Sequence, residues 1–323
     1  MEPTIHPLGI SSGLTAPEHT RRGVVVAGEA LIDLLQRPDG SLVPHLGGSP
    51  WNLARALGRL GCEVSYLNPL STDDFGEQLA QALQDSRVEC KGGRSRLPTS
   101  LAVVKVDAQG HPDYAFYREG VADRDLAPSD LLAQWPKGAA LFHVGSLAVM
   151  PPDGHAWLAT LSALVARGIS ISIDINMRPR VASDRAAYAR LSRQILAQGR
   201  VVKVSDEDLL ALELPGDPLV QARALLNDVT QVVVLTLGAQ GAWGLTREAE
   251  HFQPPARVPV VDTVGAGDCF YAGFLAHLIE SMALDNPAVP AADEVAQALA
   301  FGNRVTAFNI QRAGCQPPWR HEL

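Results

Sequence analysis

The sequence predicts an α/β protein built on a mostly parallel β-sheet with helices on both faces. Three observations carry this. Short β-branched runs alternate with helix-period segments along the chain, the pattern of βαβ units. Runs such as Gly23–Gly28 (GVVVAG) are continuously apolar, as strands buried on both faces must be. The 323 residues are 46% hydrophobic and 19% charged, enough to fill a large core, with no internal repeat or low-complexity linker.

The elements follow in order. Residues 1–21 contain Pro3, Pro7 and Pro17 and lack the apolar core of a signal peptide, so they read as a loose leader. The strand Gly23–Gly28 is followed by a helix over Ser49–Leu60, with Ser49 as its N-cap, Pro50 at its first position, Gly61 as its stop and Leu53, Leu57 and Leu60 as its apolar stripe. A strand over Glu63–Leu67 and a helix over Phe75–Asp85 come next. Leu101–Val106 and Asp113–Tyr117 flank Gln109-Gly110-His111-Pro112 and predict a hairpin. Strands are expected at Ala139–Val144, Ile169–Ile175, Arg200–Val204 and Gln231–Thr236, the last followed by a hairpin through Gly241–Leu245. Helices are expected at Gly154–Ala166, Arg185–Gln198, Asp206–Leu212, Leu219–Leu226, Ala266–Ser281 and Asp293–Asn309.

Charge and cysteine usage narrow the function. Lys and Arg number 27 and Asp and Glu 35, a net charge of −8, which argues against nucleic-acid backbone binding but not against a nucleotide, because backbone amides and a metal can meet phosphate. The longest apolar stretches, such as Val232–Leu237, fall far short of the ~20 residues that span a bilayer. Cys62, Cys90, Cys269 and Cys315 form no CxxC pair and no HExxH occurs, so neither a structural zinc nor a disulfide framework is expected; isolated thiols fit a reducing cytoplasm.

In open α/β sheets ligands sit at the carboxyl ends of strands, so the turns after strands carry the chemistry. The strongest is Asp262-Thr263-Val264-Gly265-Ala266-Gly267-Asp268. Small residues at a helix mouth leave amides open to an anion, and Asp268 stands in the first turn. An Asp there is commonly only dipole-stabilising. It also has the position of a base that orients an acceptor hydroxyl beside a transferring phosphate. Gly47-Gly48 before the first long helix is often only a turn, yet it lets a small polar ligand lie on backbone amides with the Asn52 amide beside it. Asp33 is either an exposed loop carboxylate or an acceptor for sugar hydroxyls. No GxxxxGK, GxGxxG, HRD or DFG motif occurs, so P-loop, Rossmann dehydrogenase and protein-kinase readings are unsupported.

Together these residues resemble the ribokinase (PfkB) family of carbohydrate kinases. Asp262–Phe274 is similar to its DTxGAGDxFxAGF signature, and Gly47, Gly48, Asn52, Ala54, Leu57 and Gly58 to its N-terminal one. The similarity runs from about Gly23 onward. It implies a three-layer α/β/α Rossmann-like core over residues 22–323, with a small β-sheet lid from about residues 30–46 and 100–123 that often also forms a homodimer interface. It implies Asp268 as catalytic base, with Gly265, Ala266 and Gly267 as the anion hole. Asp33, Gly47, Gly48, Asn52, Arg118 and Arg178 would bind the sugar. Lys203, Ser205, Thr236, Gly238, Gly241, Gly265 and Gly267 would meet the nucleotide, and Asn303 would border the adenine. ATP and magnesium would be the cofactors, with potassium seated by Asp262. Many members carry NxxE after the Lys203 strand. Here Ser205 and Asp208 replace its Asn and Glu, so a water-mediated magnesium role for Asp208 stands beside a purely structural one.

Local strings such as Gly28–Asp33, Asp174–Pro179 and Gly314–Trp319 look most like the fructokinase branch, which implies phosphorylation of D-fructose at its 6-hydroxyl. The rival is a 2-keto-3-deoxygluconate kinase, whose acid substrate needs cations that Arg118 and Arg178 would supply. Arg118 has the alternative of surface pairing with Glu119 or Asp174. Tyr114, Phe116 and Tyr117 keep a nucleoside-like substrate open. A non-catalytic sugar binder is the reading from another class, and the intact Gly265–Asp268 string speaks against it.

Overall fold

A computed structural model describes residues 23–106, 112–132, 135–136, 138–284 and 289–323. The expected leader and the expected turn residues Gln109-Gly110-His111 lie outside them. The first half contains β1 (Gly23–Val26), β2 (Leu31–Gln36), β3 (Leu42–Gly47), α1 (Ser49–Arg59), β4 (Val64–Tyr66), β5 (Leu70–Ser71), α2 (Asp74–Asp85), β6 (Val88–Cys90), β7 (Arg94–Ser95), β8 (Ser100–Val106) and β9 (Pro112–Tyr117). The second half continues with β10 (Ala139–Gly145), α3 (Gly154–Ala166), β11 (Ser170–Asp174), α4 (Arg185–Leu196), β12 (Val201–Ser205), α5 (Asp206–Ala211), α6 (Pro218–Arg223), β13 (Val232–Thr236), β14 (Ala242–Leu245), β15 (Glu250–Gln253), α7 (Ala266–Glu280) and α8 (Ala292–Asn309).

Nine strands form the large sheet in the order β15-β14-β13-β12-β11-β10-β1-β4-β6. All neighbours pair in parallel except β13–β14 and β14–β15, the hairpin at one edge. Period-two alternation sorts each strand between two cores. Val24, Val26, Val232 and Val234 face α1, α2, α7 and α8, while Val25, Val233, Ile171 and Ile173 face α3 to α6. The expected three-layer α/β/α architecture is thus present. Trp51 of α1 is buried beside the expected leucines, and its indole donates to the Leu79 carbonyl at 3.3 Å.

A separate sheet in the order β3-β2-β8-β9 combines two antiparallel pairs with a parallel β2–β8 pairing. Leu31, Ala102 and Leu147 are buried together where this sheet meets the main body. The two-residue strands β5 and β7 pair with each other.

One helix start departs from expectation. The N-cap of α1 is Gly48, not Ser49, and no side chain caps it. Gly48 has φ +110°, and a Cβ there would lie 2.3 Å from the Glu29 carbonyl oxygen. The close crossing of two backbones therefore fixes where the helix begins, and frees Ser49 for another task.

Candidate active site

The site forms where α1, α7 and β2 converge on the carboxyl ends of β11, β12 and β13. Gly265, at φ +69°, is the N-cap of α7, and no side chain caps the helix. The Ala266 amide donates to the Thr263 carbonyl at 3.1 Å. One of the three amides expected at the anion hole thus has an acceptor within the protein. The positive end of the helix dipole favours an anion there. A Cβ on Gly267 would lie 3.5 Å from Lys203 Nζ, so that ammonium stands directly beside the helix mouth.

Lys203 is buried, and its Nζ donates to both oxygens of Asp174, at 2.9 and 2.8 Å. Burial disfavours the ammonium, but the carboxylates of Asp174, Asp208 and Asp268 together more than offset this and raise its pKa. The pair spans adjacent strands, Asp174 opposite Lys203 in the β11–β12 register.

Asp268 is 8% exposed. Its Oδ1 accepts from the Ser49 hydroxyl at 2.7 Å and its Oδ2 from the Asn52 amide at 2.9 Å. Burial raises its pKa, and these two hydrogen bonds, then Lys203 and Arg178, oppose the rise. Asn52 Oδ1 is buried with no partner among the described residues, an acceptor that a ligand hydroxyl would satisfy. Ser49 was not among the expected site residues.

Asp33 lies on β2, and a Cβ on Gly47 would stand 2.3 Å from its Oδ2, so the carboxylate rests on the bare Gly47 backbone. Burial lifts its pKa to about 6, opposed by Arg178 and reinforced by Asp268. Arg178 follows β11. Its Nη1 donates to the Asn176 carbonyl (3.0 Å), Asn176 Oδ1 (2.7 Å) and the Met177 carbonyl (3.0 Å), and its guanidinium lies 5.8 Å from the Tyr114 ring of β9. Asp33, Gly47, Gly48, Asn52, Arg178 and Asp268 are thus brought to one place.

Other expected site residues are engaged elsewhere. Arg118 turns inward, its Nη2 on Asp123 (2.7 Å) and its Nη1 on the Leu147 carbonyl (3.1 Å); neither Glu119 nor Asp174 is its partner. Beside it Glu29 is buried and pushed up to about 7 by desolvation, which Arg118 partly counters. Ser205 and Asp208 form a capping box at α5. Asp208 Oδ2 accepts from the Ser205 amide and hydroxyl, both at 2.8 Å, and its Oδ1 from the Met177 amide at 2.6 Å. Its oxygens close a helix start and a neighbouring loop.

Thr236 ends β13 opposite Ser205, and Gly238–Gln240 is a single 3₁₀ turn closed by Gly241. Asn303 of α8 holds the loop after β15, accepting from the Ala256 amide (3.2 Å) and donating to the Pro254 carbonyl (3.1 Å). Asp262 accepts from the Val264 amide (3.0 Å) and the Gly314 amide (2.8 Å), tying two loops together. Among the described residues no group of three or more His, Cys, Asp or Glu side chains is gathered for a metal.

Comparison with known proteins finds carbohydrate kinases. The family model described as pfkB family carbohydrate kinase matches residues 21–322. A fructokinase of Rhizobium leguminosarum bv. trifolii is 37% identical over 279 residues, 84% of this chain and 85% of that protein. A solved fructokinase with bound ATP from Xylella fastidiosa has a TM-score of 0.81 and 28% identity, over 91% of this chain and 94% of that one. The fructokinase of Vibrio cholerae O395 in its fructose, ADP and calcium ion bound form has a TM-score of 0.77 and 26% identity, over 92% and 95%.

Proposed function

We propose, on the premise that the chain belongs to the pfkB family of carbohydrate kinases, that it is an ATP-dependent fructokinase carrying the γ-phosphoryl group to the 6-hydroxyl of D-fructose. The observation that carries this reading is the Asp268 carboxylate, held at both oxygens by Ser49 and Asn52 beside the open helix mouth. Asp33 and Asn52 bind sugar hydroxyls and turn the 6-hydroxyl toward Asp268. The Gly265 and Gly267 amides and the Lys203 ammonium meet the charge on the transferring phosphoryl oxygens. Because phosphoryl transfer passes through a loose transition state, orientation of the hydroxyl by Asp268 matters more than its basicity. Thr236 and Gly238, at the turn after β13, and Asn303 of α8 border the nucleotide, and the small sheet acts as a lid that keeps water from competing for the phosphate.

Charge favours a neutral sugar over a sugar acid. Arg178 already faces the carboxylates of Asp33 and Asp268, and Arg118 is bound to Asp123, so a substrate carboxylate would meet more negative than positive charge. Magnesium bound with ATP would supply positive charge against the phosphates and would be held by the protein largely through water. Asp208 and Asp262 each accept backbone donors and keep further lone pairs, which leaves Asp208 a water-mediated contact to magnesium and Asp262 a seat for potassium. Exposed Leu35, Leu42 and Tyr117 on the small sheet support a homodimer through the lid. The four free cysteines support a cytoplasmic location, and among the described residues no helix is long and apolar enough to cross a membrane.

ADP release with fructose, 2-keto-3-deoxygluconate, ribose and adenosine tests the substrate. Fructose is expected to give the highest kcat/KM, and preference for the keto acid or adenosine overturns the assignment. Asp268→Asn is expected to lower kcat by about 10²–10⁴-fold with fructose binding retained. Full turnover by that variant would remove Asp268 as the base.

A further inference from the structure

Two of the four free thiols meet at the mouth of the catalytic helix. Cys269 follows Asp268 in the first turn of α7 and is fully buried. Cys315 is half-buried and packs against the core cluster that contains Cys269. A Cβ on Gly265 would stand 2.3 Å from the Cys315 sulfur, so that sulfur occupies the space the glycine leaves over the anion hole. The two thiols are hydrogen-bonded neighbours, and that bond, with burial, keeps the Cys269 thiol protonated.

The surroundings of Cys315 are cationic. Arg55 donates to its carbonyl at 3.3 Å and Arg59 to the Pro317 carbonyl at 2.8 Å. The N-terminus of α7 adds its own positive potential. A partly exposed thiol beside cations and a helix N-terminus, with a second thiol in contact, is the arrangement in which peroxide oxidation is site-selective.

We propose that Cys315 and Cys269 form a peroxide-sensitive switch whose disulfide shuts off phosphoryl transfer. The Cys315 sulfur attacks one oxygen of a hydroperoxide. The O–O bond breaks, the other oxygen leaves as alcohol or water, and Cys315 becomes a sulfenic acid. The Cys269 sulfur then attacks the Cys315 sulfur. The S–O bond breaks, and the hydroxyl leaves with the Cys269 proton as water. Two thiols lose two electrons in all, and one peroxide is reduced.

A sulfur–sulfur hydrogen bond is far longer than the ~2.05 Å of a disulfide, so closure draws residue 315 and the first turn of α7 together. Gly265, Gly267 and Asp268 ride on that turn, and displacement of reacting groups by about 1 Å costs on the order of 10²-fold in rate. A dithiol reductant reverses the change.

The test is hydrogen peroxide treatment of the full chain, followed by a non-reducing peptide mass map and by ADP release with fructose. Expected are a loss of about 2 Da, a cross-linked peptide joining residues 269 and 315, and at least a 10-fold fall in activity that dithiothreitol restores. Cys315→Ser keeps its activity within twofold under the same treatment, and Cys269→Ala leaves a sulfenic acid on Cys315 that a dimedone probe labels. The absence of the cross-linked peptide, a disulfide with unchanged activity, or equal inactivation of Cys315→Ser overturns the proposal. The peptide map of the unaltered protein decides the cross-link even where a variant does not fold, and it is independent of the identity of the sugar.

Discussion

Asp268 shows how a single hydroxyl tunes a base. Burial favours its neutral form, and the Ser49 hydroxyl is the largest influence that opposes this. Removing the donor in Ser49→Ala therefore raises the pKa further. The base must be ionised to orient the sugar hydroxyl, so the acid limb of kcat moves to higher pH. Expected is a larger loss of kcat at acid pH than at alkaline pH, with Ser49→Thr restoring the profile. An unchanged pH profile in Ser49→Ala would reduce the serine to packing. Asp33 gives a second pH dependence. Its pKa of about 6 in the fold lies above its ordinary value, so it gains a proton as pH falls through 6 and loses acceptor strength. KM for fructose is expected to rise below pH 6 and to be flat above pH 7, as initial rates across that range will show. Asp33 and Asp268 were legible in the sequence because each lies near a recognisable motif. The role of Ser49 was not, because its partner is 219 residues away, and a serine before a proline looks locally like an N-cap.

Among the elements, α1 begins where two backbones cross. Gly48 combines a left-handed φ with a 2.3 Å approach of a Cβ to the Glu29 carbonyl. Gly48→Ala must both strain the backbone and push β2 away from α1, at a cost of about 2 kcal/mol or more. Calorimetry is expected to show a lower Tm, and kinetics a higher KM for fructose, because the same displacement opens Asn52 from Asp33. Wild-type Tm in that variant would show that the crossing yields freely. Helices with polar starts and apolar stripes were readable within a few residues; α4 begins at Arg185 as expected, capped by Asp184. The three-residue β6 and the two-residue β5 and β7 were not, because a period of two cannot be recognised in so few residues. The inward turn of Arg118 was equally hidden, since nothing in the local sequence distinguishes Asp123 from Glu119 as its partner.

The molecule as a whole is fastened by its last residues. The Trp319 ring lies 5.3 Å from the Arg59 guanidinium of α1 and 5.1 Å from that of Arg87, which follows α2. Arg59 also donates to the Pro317 carbonyl and Arg312 pairs with Glu322 at 2.7 Å. Trp319→Ala removes both cation–π contacts and is expected to lower Tm by a few degrees with KM for fructose unchanged, about 1–2 kcal/mol in all. Unchanged thermal stability would show the ring to be incidental. The overall architecture was the most legible level, because alternation of buried strands and helices is spread over the whole chain. The junction of α1 with α7 was not, since neither apolar stripe names its partner.

That junction also sets an order in time. The Ser49 and Asp268 ends of one hydrogen bond are 219 residues apart. At about 5–20 residues per second of synthesis, the ribosome needs roughly 10–40 seconds to travel between them. Throughout that interval α1, with Trp51, Leu53 and Leu57 destined for the core, waits without α7. The nascent chain thus carries an apolar helix face that chaperones can grip until α7 has been made.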